Sequence, residues 1–230
     1  MAICKEGVVA VADSRLTFSD NATGQPLAYA DGLPKIIRFD SALMAETGQG
    51  FLQDRRFDLF VRQFADSAGP LNADAILPAL LDYGRRTLPA DDFQVLQHQH
   101  MAVARFDNGK PLVCGYDGRH GCVEKGYIQS SATDFAEIAG KLPAMSAVDV
   151  AAAARASMER YIAAKGNSNT MGGEFSATLL TPTSLRQLWA LHDPIQARTI
   201  DDLIALVRAR KIRVTLIPPA TWAQLEQLFQ

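Results

Sequence analysis

Three charged residues stand where chemistry would need them. The run Gly7 to Asp13, GVVAVAD, is apolar, small and β-branched, and it ends in an acid followed two residues later by a base, Arg15. It reads as a buried strand entering an active or packed site. Lys35 follows Pro34 and opens the next apolar run, KIIRFD. Two antiparallel hairpins in this order bring the strand ends at Asp13 and Lys35 together, which predicts a buried or half-buried ion pair. A lysine desolvated there needs such a carboxylate, because an unpaired buried ammonium is too costly. The plainer alternatives are a turn ion pair for Asp13 and Arg15, a solvated strand start for Lys35, and a strand end that admits a helix for Gly48 and Gly50. His98 and His100, two apart in QHQH, would share one strand face and suggest a metal, but no third ligand accompanies them.

The elements that must position these residues follow from pattern. MAIC pairs with GVVAVAD across the turn residues KEG, and KIIRFD with ALMAET form a second hairpin. Between them lies a long turn-rich excursion with a possible short strand at LAYA. Phe57, Phe60, Val61 and Phe64 fall at helical spacing, and a second helix starts from Asn72 with Pro78 inside it. Asn108-Gly109 marks a tight hairpin that GCVEKGYI extends as a meander. A third helix fits TDFAEIAGKL, and a fourth, capped by Ser146 with Asp149, runs to Gly166. FSATLLT and SLRQLWAL form a last hairpin. A C-terminal helix, an edge strand at IRVTLI and a short helix complete the chain. Hairpins alternating with helix pairs argue for an α+β sandwich. The expected division is residues 1–195 as the main domain and 196–230 as an extension packed on it.

Composition bounds the function. The 230 residues are 48% hydrophobic and 21% charged, with a net charge of -2, which argues against a nucleic-acid or anionic-membrane surface even though Arg208, Arg210, Lys211 and Arg213 cluster. No apolar run approaches the ~20 residues of a membrane span, and no signal segment is visible. Cys4, Cys114 and Cys122, an odd number without metal-ligand spacing, suit reduced thiols. A soluble, cytoplasmic protein without cofactor or metal is expected.

GVVAVADSR, then KIIRFD, then MAETGQGFLQD leading into a helix, then AVARFDNGKPLVCGYDGRHGCVEKGYIQSSATDFA, together resemble the β-subunit type of the proteasome and its bacterial relatives, from the first residue to about Leu191. The resemblance implies an N-terminal-nucleophile hydrolase: a four-layer αββα sandwich of two antiparallel sheets flanked by helices, in which a terminal Thr attacks an amide carbonyl and its own α-amine serves as base. It implies that Lys35 lies beside the nucleophile, that Asp13 pairs with Lys35, and that Arg15 follows at the family's spacing. Gly48 matches the glycine whose N–H serves the oxyanion hole. Ser131, or its neighbour Ser130, matches the serine near the nucleophile's amine. The implied partners are further copies in a homo-oligomeric ring, a peptide or unfolded protein substrate and an ATP-driven unfoldase.

Two departures stand out. Tyr161 and Ala164 occupy positions where the family often has an Asp and a Ser. The family also places its nucleophile further ahead of the Asp than the twelve residues that precede Asp13, Met1 is no nucleophile, and Cys4 lies too close to Asp13 to replace it. The expectation is that a few residues including the Thr belong ahead of Met1. The alternatives are a non-catalytic ring-forming or scaffold subunit and, third, a non-proteolytic amidase of the same superfamily. As written, the chain should not cleave peptides.

Overall fold

The computed structural model describes residues 1–20, 22–39, 41–52, 54–129, 136–165 and 171–230. The chain runs β1 (Ala2–Cys4), β2 (Gly7–Asp13), β3 (Arg15–Ser19), β4 (Pro26–Asp31), β5 (Ile36–Phe39), β6 (Ala42–Thr47), and the short pair β7 (Phe51–Leu52) and β8 (Arg55–Arg56). Helices α1 (Phe57–Ala68), α2 (Ala73–Thr87) and α3 (Ala90–Gln97) follow, then β9 (His100–Asp107), β10 (Lys110–Tyr116) and β11 (His120–Val123). After α4 (Ala147–Lys165) come β12 (Phe175–Leu180), β13 (Leu185–Trp189), α5 (Ile200–Arg208), β14 (Val214–Leu216) and α6 (Trp222–Leu228).

The strands form antiparallel sheets of order β1-β2-β12-β13, β11-β10-β9-β6-β5 and β14-β4-β3, with β7-β8 as a separate pair. Alternation along the strands decides which face meets what. Val8 and Ala10 of β2, Leu43 of β6, Ala104 of β9 and Val113 of β10 share one core between the two larger sheets. The intervening residues face outward to helices: Val9, Ala177 and Leu179 lie under Val150, Ala154 and Met158 of α4. On the other sheet, Met44 and Val103 lie under Phe57, Phe64, Leu77 and Leu80 of α1 and α2. Each sheet is thus apolar on both faces, which its near-continuous apolar strands require.

Local chemistry fixes the ends. Gly7 turns between β1 and β2 at φ +152°, where a Cβ would stand 2.0 Å from the Leu180 carbonyl oxygen, so only glycine lets β12 approach. Asn108 and Gly109, both at positive φ, make the expected tight turn between β9 and β10. Asn72 precedes α2 as predicted, but the side chain that caps the helix is Asp107, which accepts from the Ala73 N–H at 3.1 Å. Ser146 accepts from the Asp149 N–H at 3.2 Å at the start of α4.

Several expectations are corrected. The turn-rich excursion folds as the hairpin β3–β4, and β14 adds to it. α5 and α6 cover this third sheet through Leu203, Val207 and Leu225 packed on Phe18, Ala28 and Ala30. The tail is also tied to the body by Arg56, which donates to the carbonyls of Ile195 and Ala197 at 2.9 and 3.2 Å. The helix expected over TDFAEIAGKL falls partly outside the described residues, and the remainder holds a 3-10 turn at Ala136–Ile138, with a second, Leu142–Ala144, starting at its last residue. α3 was hidden by its few apolar positions. It places His98 at a helix end and His100 at a strand start, so the two do not share a strand face. Cys114 and Cys122 are disulfide-bonded rather than reduced, because the turn at Asp117–Arg119 sets the register that puts them directly opposite on β10 and β11; Cys4 is free and buried. Among the described residues no helix is long and apolar enough to cross a membrane.

Truncating a fully buried side chain in the shared core tests the packing of the two large sheets. Leu43→Ala is expected to lower unfolding free energy by about 2–5 kcal/mol in urea titrations, and a change below ~1 kcal/mol would mean the sheets do not pack here as described.

Candidate active site

Asp13 and Lys35 meet as predicted. The Lys35 Nζ donates to Asp13 Oδ1 at 2.8 Å, with side-chain exposures of 9% and 5%. Asp13 is the last residue of β2, and Lys35 immediately precedes β5. Its other oxygen is also occupied: Oδ2 accepts from the Gly172 N–H at 2.9 Å and from the Arg15 N–H at 3.2 Å. The carboxylate therefore takes one charged and two backbone donors, so both of its oxygens are satisfied within the fold.

Arg15 does not contact the pair through its guanidinium. It forms a two-pronged bond to Asp31 at 3.0 and 3.3 Å, donates to the Met171 carbonyl at 3.3 Å, and stacks 3.6 Å above the Tyr29 ring. A Cβ on Gly172 would lie 2.4 Å from the Arg15 guanidinium carbon, and one on Gly173 would lie 2.6 Å from the Asp31 carboxyl carbon. The glycine pair thus lets the chain pass over this ion pair closely enough for the Gly172 N–H to reach Asp13. Arg15 acts as a positioning residue for the loop that completes the carboxylate.

The sequence reading missed a third buried charge. Glu46 on β6 is 5% exposed, and its backbone N–H bonds the Lys35 carbonyl at 3.2 Å, so the two are cross-strand neighbours. Its Oε2 has no hydrogen-bond partner among the described residues. Burial pushes its carboxyl up from 4.5 to about 7; Lys35 opposes the rise, while Asp13 and Asp58 add to it. The signal was present in the sequence as one acid in an otherwise apolar strand, ALMAET.

Gly48 lies just beyond β6 at φ +148°, and a Cβ there would stand 1.8 Å from the Gln99 Oε1. Gln99, 1% exposed, clamps the next residue by accepting from the Gln49 N–H at 3.0 Å and donating to its carbonyl at 2.8 Å. Glycine is therefore demanded by both the backbone angle and the clamp. Ser131 and Ser130 lie outside the described residues.

A cavity of about 700 Å³ opens beside these groups, lined among others by Met1, Asp13, Glu46, Thr47 and His100, with Met158 of α4 on another wall. Met1 donates its nitrogen to the Ile128 carbonyl at 2.8 Å and its carbonyl accepts from the Ile128 N–H at 2.9 Å, which fixes the start of β1 at the cavity wall. An ammonium held by a carboxylate, a second carboxyl of shifted protonation and a recess of this size can polarise and orient a bound polar group. No protein-family model matches the chain, and no curated protein matches it.

The Glu46 carboxyl gives a signed pH dependence. Between about pH 4.5 and 7 the unfolded chain releases this proton while the folded protein keeps it, so its contribution is fully present below pH 4.5 and is lost as pH rises to about 7. Glu46→Gln is expected to match the wild type near pH 4.5 and to exceed it by roughly 1–3 kcal/mol at pH 8 in denaturant melts. Equal stabilities at both values would show that Glu46 ionises freely.

Proposed function

We propose that the protein is an N-terminal-nucleophile hydrolase of the proteasome β-subunit type, acting on peptide or related amide bonds. The observation that carries this reading is the buried 2.8 Å contact between Lys35 and Asp13 at the edge of the large cavity. The succession of α4, one large sheet, the second large sheet and α1 with α2 supports an assignment to the four-layer αββα sandwich.

The register of the first hairpin supplies the link to a nucleophile. Ala2 stands opposite Val9, so continuing the ladder places Met1 opposite Ala10, and Asp13 lies three residues further along β2. Residues added ahead of Met1 would extend β1 along the cavity toward Asp13 and Lys35. In this reading a terminal Thr at that level attacks the amide carbonyl through its hydroxyl oxygen. Its own α-amine, directly or through water, takes the hydroxyl proton and later passes it to the leaving nitrogen. The Lys35 ammonium, paired with Asp13, favours the reactive state of both groups. The Gly48 N–H is assigned to the developing oxyanion and Ser131 to the amine.

The resemblance also carries a homo-oligomeric ring, with an unfoldase feeding it. The apolar residues of α1 give that assembly no support, since Phe57, Phe60, Val61 and Phe64 are all buried in the protein's own core.

The experiment is a graded set of chains extended ahead of Met1, each beginning with a free terminal Thr. Turnover of a fluorogenic peptide is expected only when the Thr reaches the level of Asp13, and Lys35→Ala in that chain should cost about 100-fold or more in kcat/KM. Activity independent of extension length, or unaffected by Lys35→Ala, contradicts the mechanism; inertness at every length favours a non-catalytic subunit.

A further inference from the structure

A second cluster lies on the strand pair β10–β11, apart from the Asp13 and Lys35 contact. Cys114 and Cys122 are directly opposite in the antiparallel register. His120 precedes Cys122 by two residues, so both side chains share one face of β11. The ligating atoms of Cys114, His120 and Cys122 all lie within 4.8 Å of one another, and the His120 Nε2 is 3.7 Å from the Cys122 sulfur. Cys114 is buried, whereas His120 and Cys122 are exposed, so one side of the cluster is open to solvent.

We propose that this cluster is a redox-gated site for a soft divalent cation of the zinc class. In the disulfide state the two sulfurs are bonded to each other and neither can serve as a thiolate ligand. A thiol reductant opens it: two electrons and two protons from two small thiols, or from one dithiol, break the S–S bond and leave two protein thiols and an oxidised disulfide of the reductant. Binding of the cation then releases the two thiol protons and forms two metal–thiolate bonds, with the His120 imidazole as third ligand. Metal–sulfur and metal–nitrogen distances of about 2.3 and 2.0 Å require ligand atoms roughly 3.5–3.8 Å apart; the His120 Nε2 already stands 3.7 Å from the Cys122 sulfur, and the two sulfurs, bonded to each other in the disulfide, move apart once it is reduced. Two thiolates and an imidazole select zinc-like ions over calcium or magnesium. The fourth position falls on the exposed side, where water completes a tetrahedron.

The site bears on the cavity because β11 contributes to its wall through His120 and Cys122. β11 is a four-residue edge strand paired only with β10. A covalent or metal cross-link pins it, and the reduced, empty state relies on pairing with β10 and on Val123 packed against the core between the sheets. Cys4 lies on β1 in a different core and takes no part.

The test uses the full chain, reduced anaerobically with dithiothreitol, freed of reductant and titrated with Co²⁺ followed by Zn²⁺. One tetrahedral cobalt per chain is expected, with a thiolate-to-cobalt charge-transfer band that Zn²⁺ abolishes. The band should be absent in the oxidised protein and in Cys122→Ser, and unchanged in Cys4→Ser. His120→Ala, at an exposed position, should weaken cobalt binding by about tenfold or more. A reduced wild type without the band, or a band that survives in Cys122→Ser, overturns the proposal.

Discussion

The burial of Asp13 against Lys35 is the constraint on which the rest of the site depends. Taking two charges out of water costs several kcal/mol per ion, and their mutual attraction offsets this only if the remaining lone pairs are also satisfied. The second oxygen of Asp13 meets that condition with N–H groups from Arg15 and Gly172. Three separated stretches of chain, the end of β2, the entry to β5 and the glycine pair before β12, are therefore drawn to one carboxylate. The Arg15 to Asp31 pair, stacked on Tyr29, holds the last of these from outside. Removing the ammonium alone would leave a buried, multiply bonded carboxylate without its counter-charge, which is costlier than removing both ions together.

Glu46 belongs to the same electrostatic unit but is governed by desolvation. Lys35 is already committed to Asp13 at 2.8 Å, so it cannot fully compensate a second carboxylate, and the burial of Glu46 keeps its proton to about pH 7. The two acids thus differ in their surroundings, Asp13 being met by three donors and Glu46 keeping its proton through burial. A carboxyl buried beside an ion pair is how such a recess offers an exchangeable proton near neutral pH. The cavity lies where Asp13 and Glu46 meet the start of the first strand, with Thr47 and His100 on its wall.

The strands and the pairing at the site were legible because they rest on local signals: small and β-branched runs ending in charge, Asn108-Gly109 at a turn, and strand ends that hairpin order brings together. What the sequence did not disclose depends on register or on distant partners. The Cys114 to Cys122 bond follows from where one turn falls, and α2 is capped by Asp107 from another strand rather than by its own Asn72 side chain. Gln99 reads as one polar residue in the string QHQH, and only its reach to the Gln49 backbone reveals its role. Glu46 could have been noticed, since an acid in a strand buried on both faces must find a cation or keep its proton. α3 was missed because one buried residue, Leu96, anchors its short length.

The most direct measurement is covalent trapping of the nucleophile. A chain extended so that a free terminal Thr stands level with Asp13 would be treated with a β-lactone acylating agent and the adduct located by mass spectrometry, in parallel with the same chain carrying Lys35→Ala and shown by circular dichroism to be folded. The account predicts rapid single acylation at the terminal Thr and a loss of about 100-fold or more in rate without Lys35. Equal rates in the two proteins, or acylation spread over surface lysines and hydroxyls with none at the terminal Thr, would contradict it.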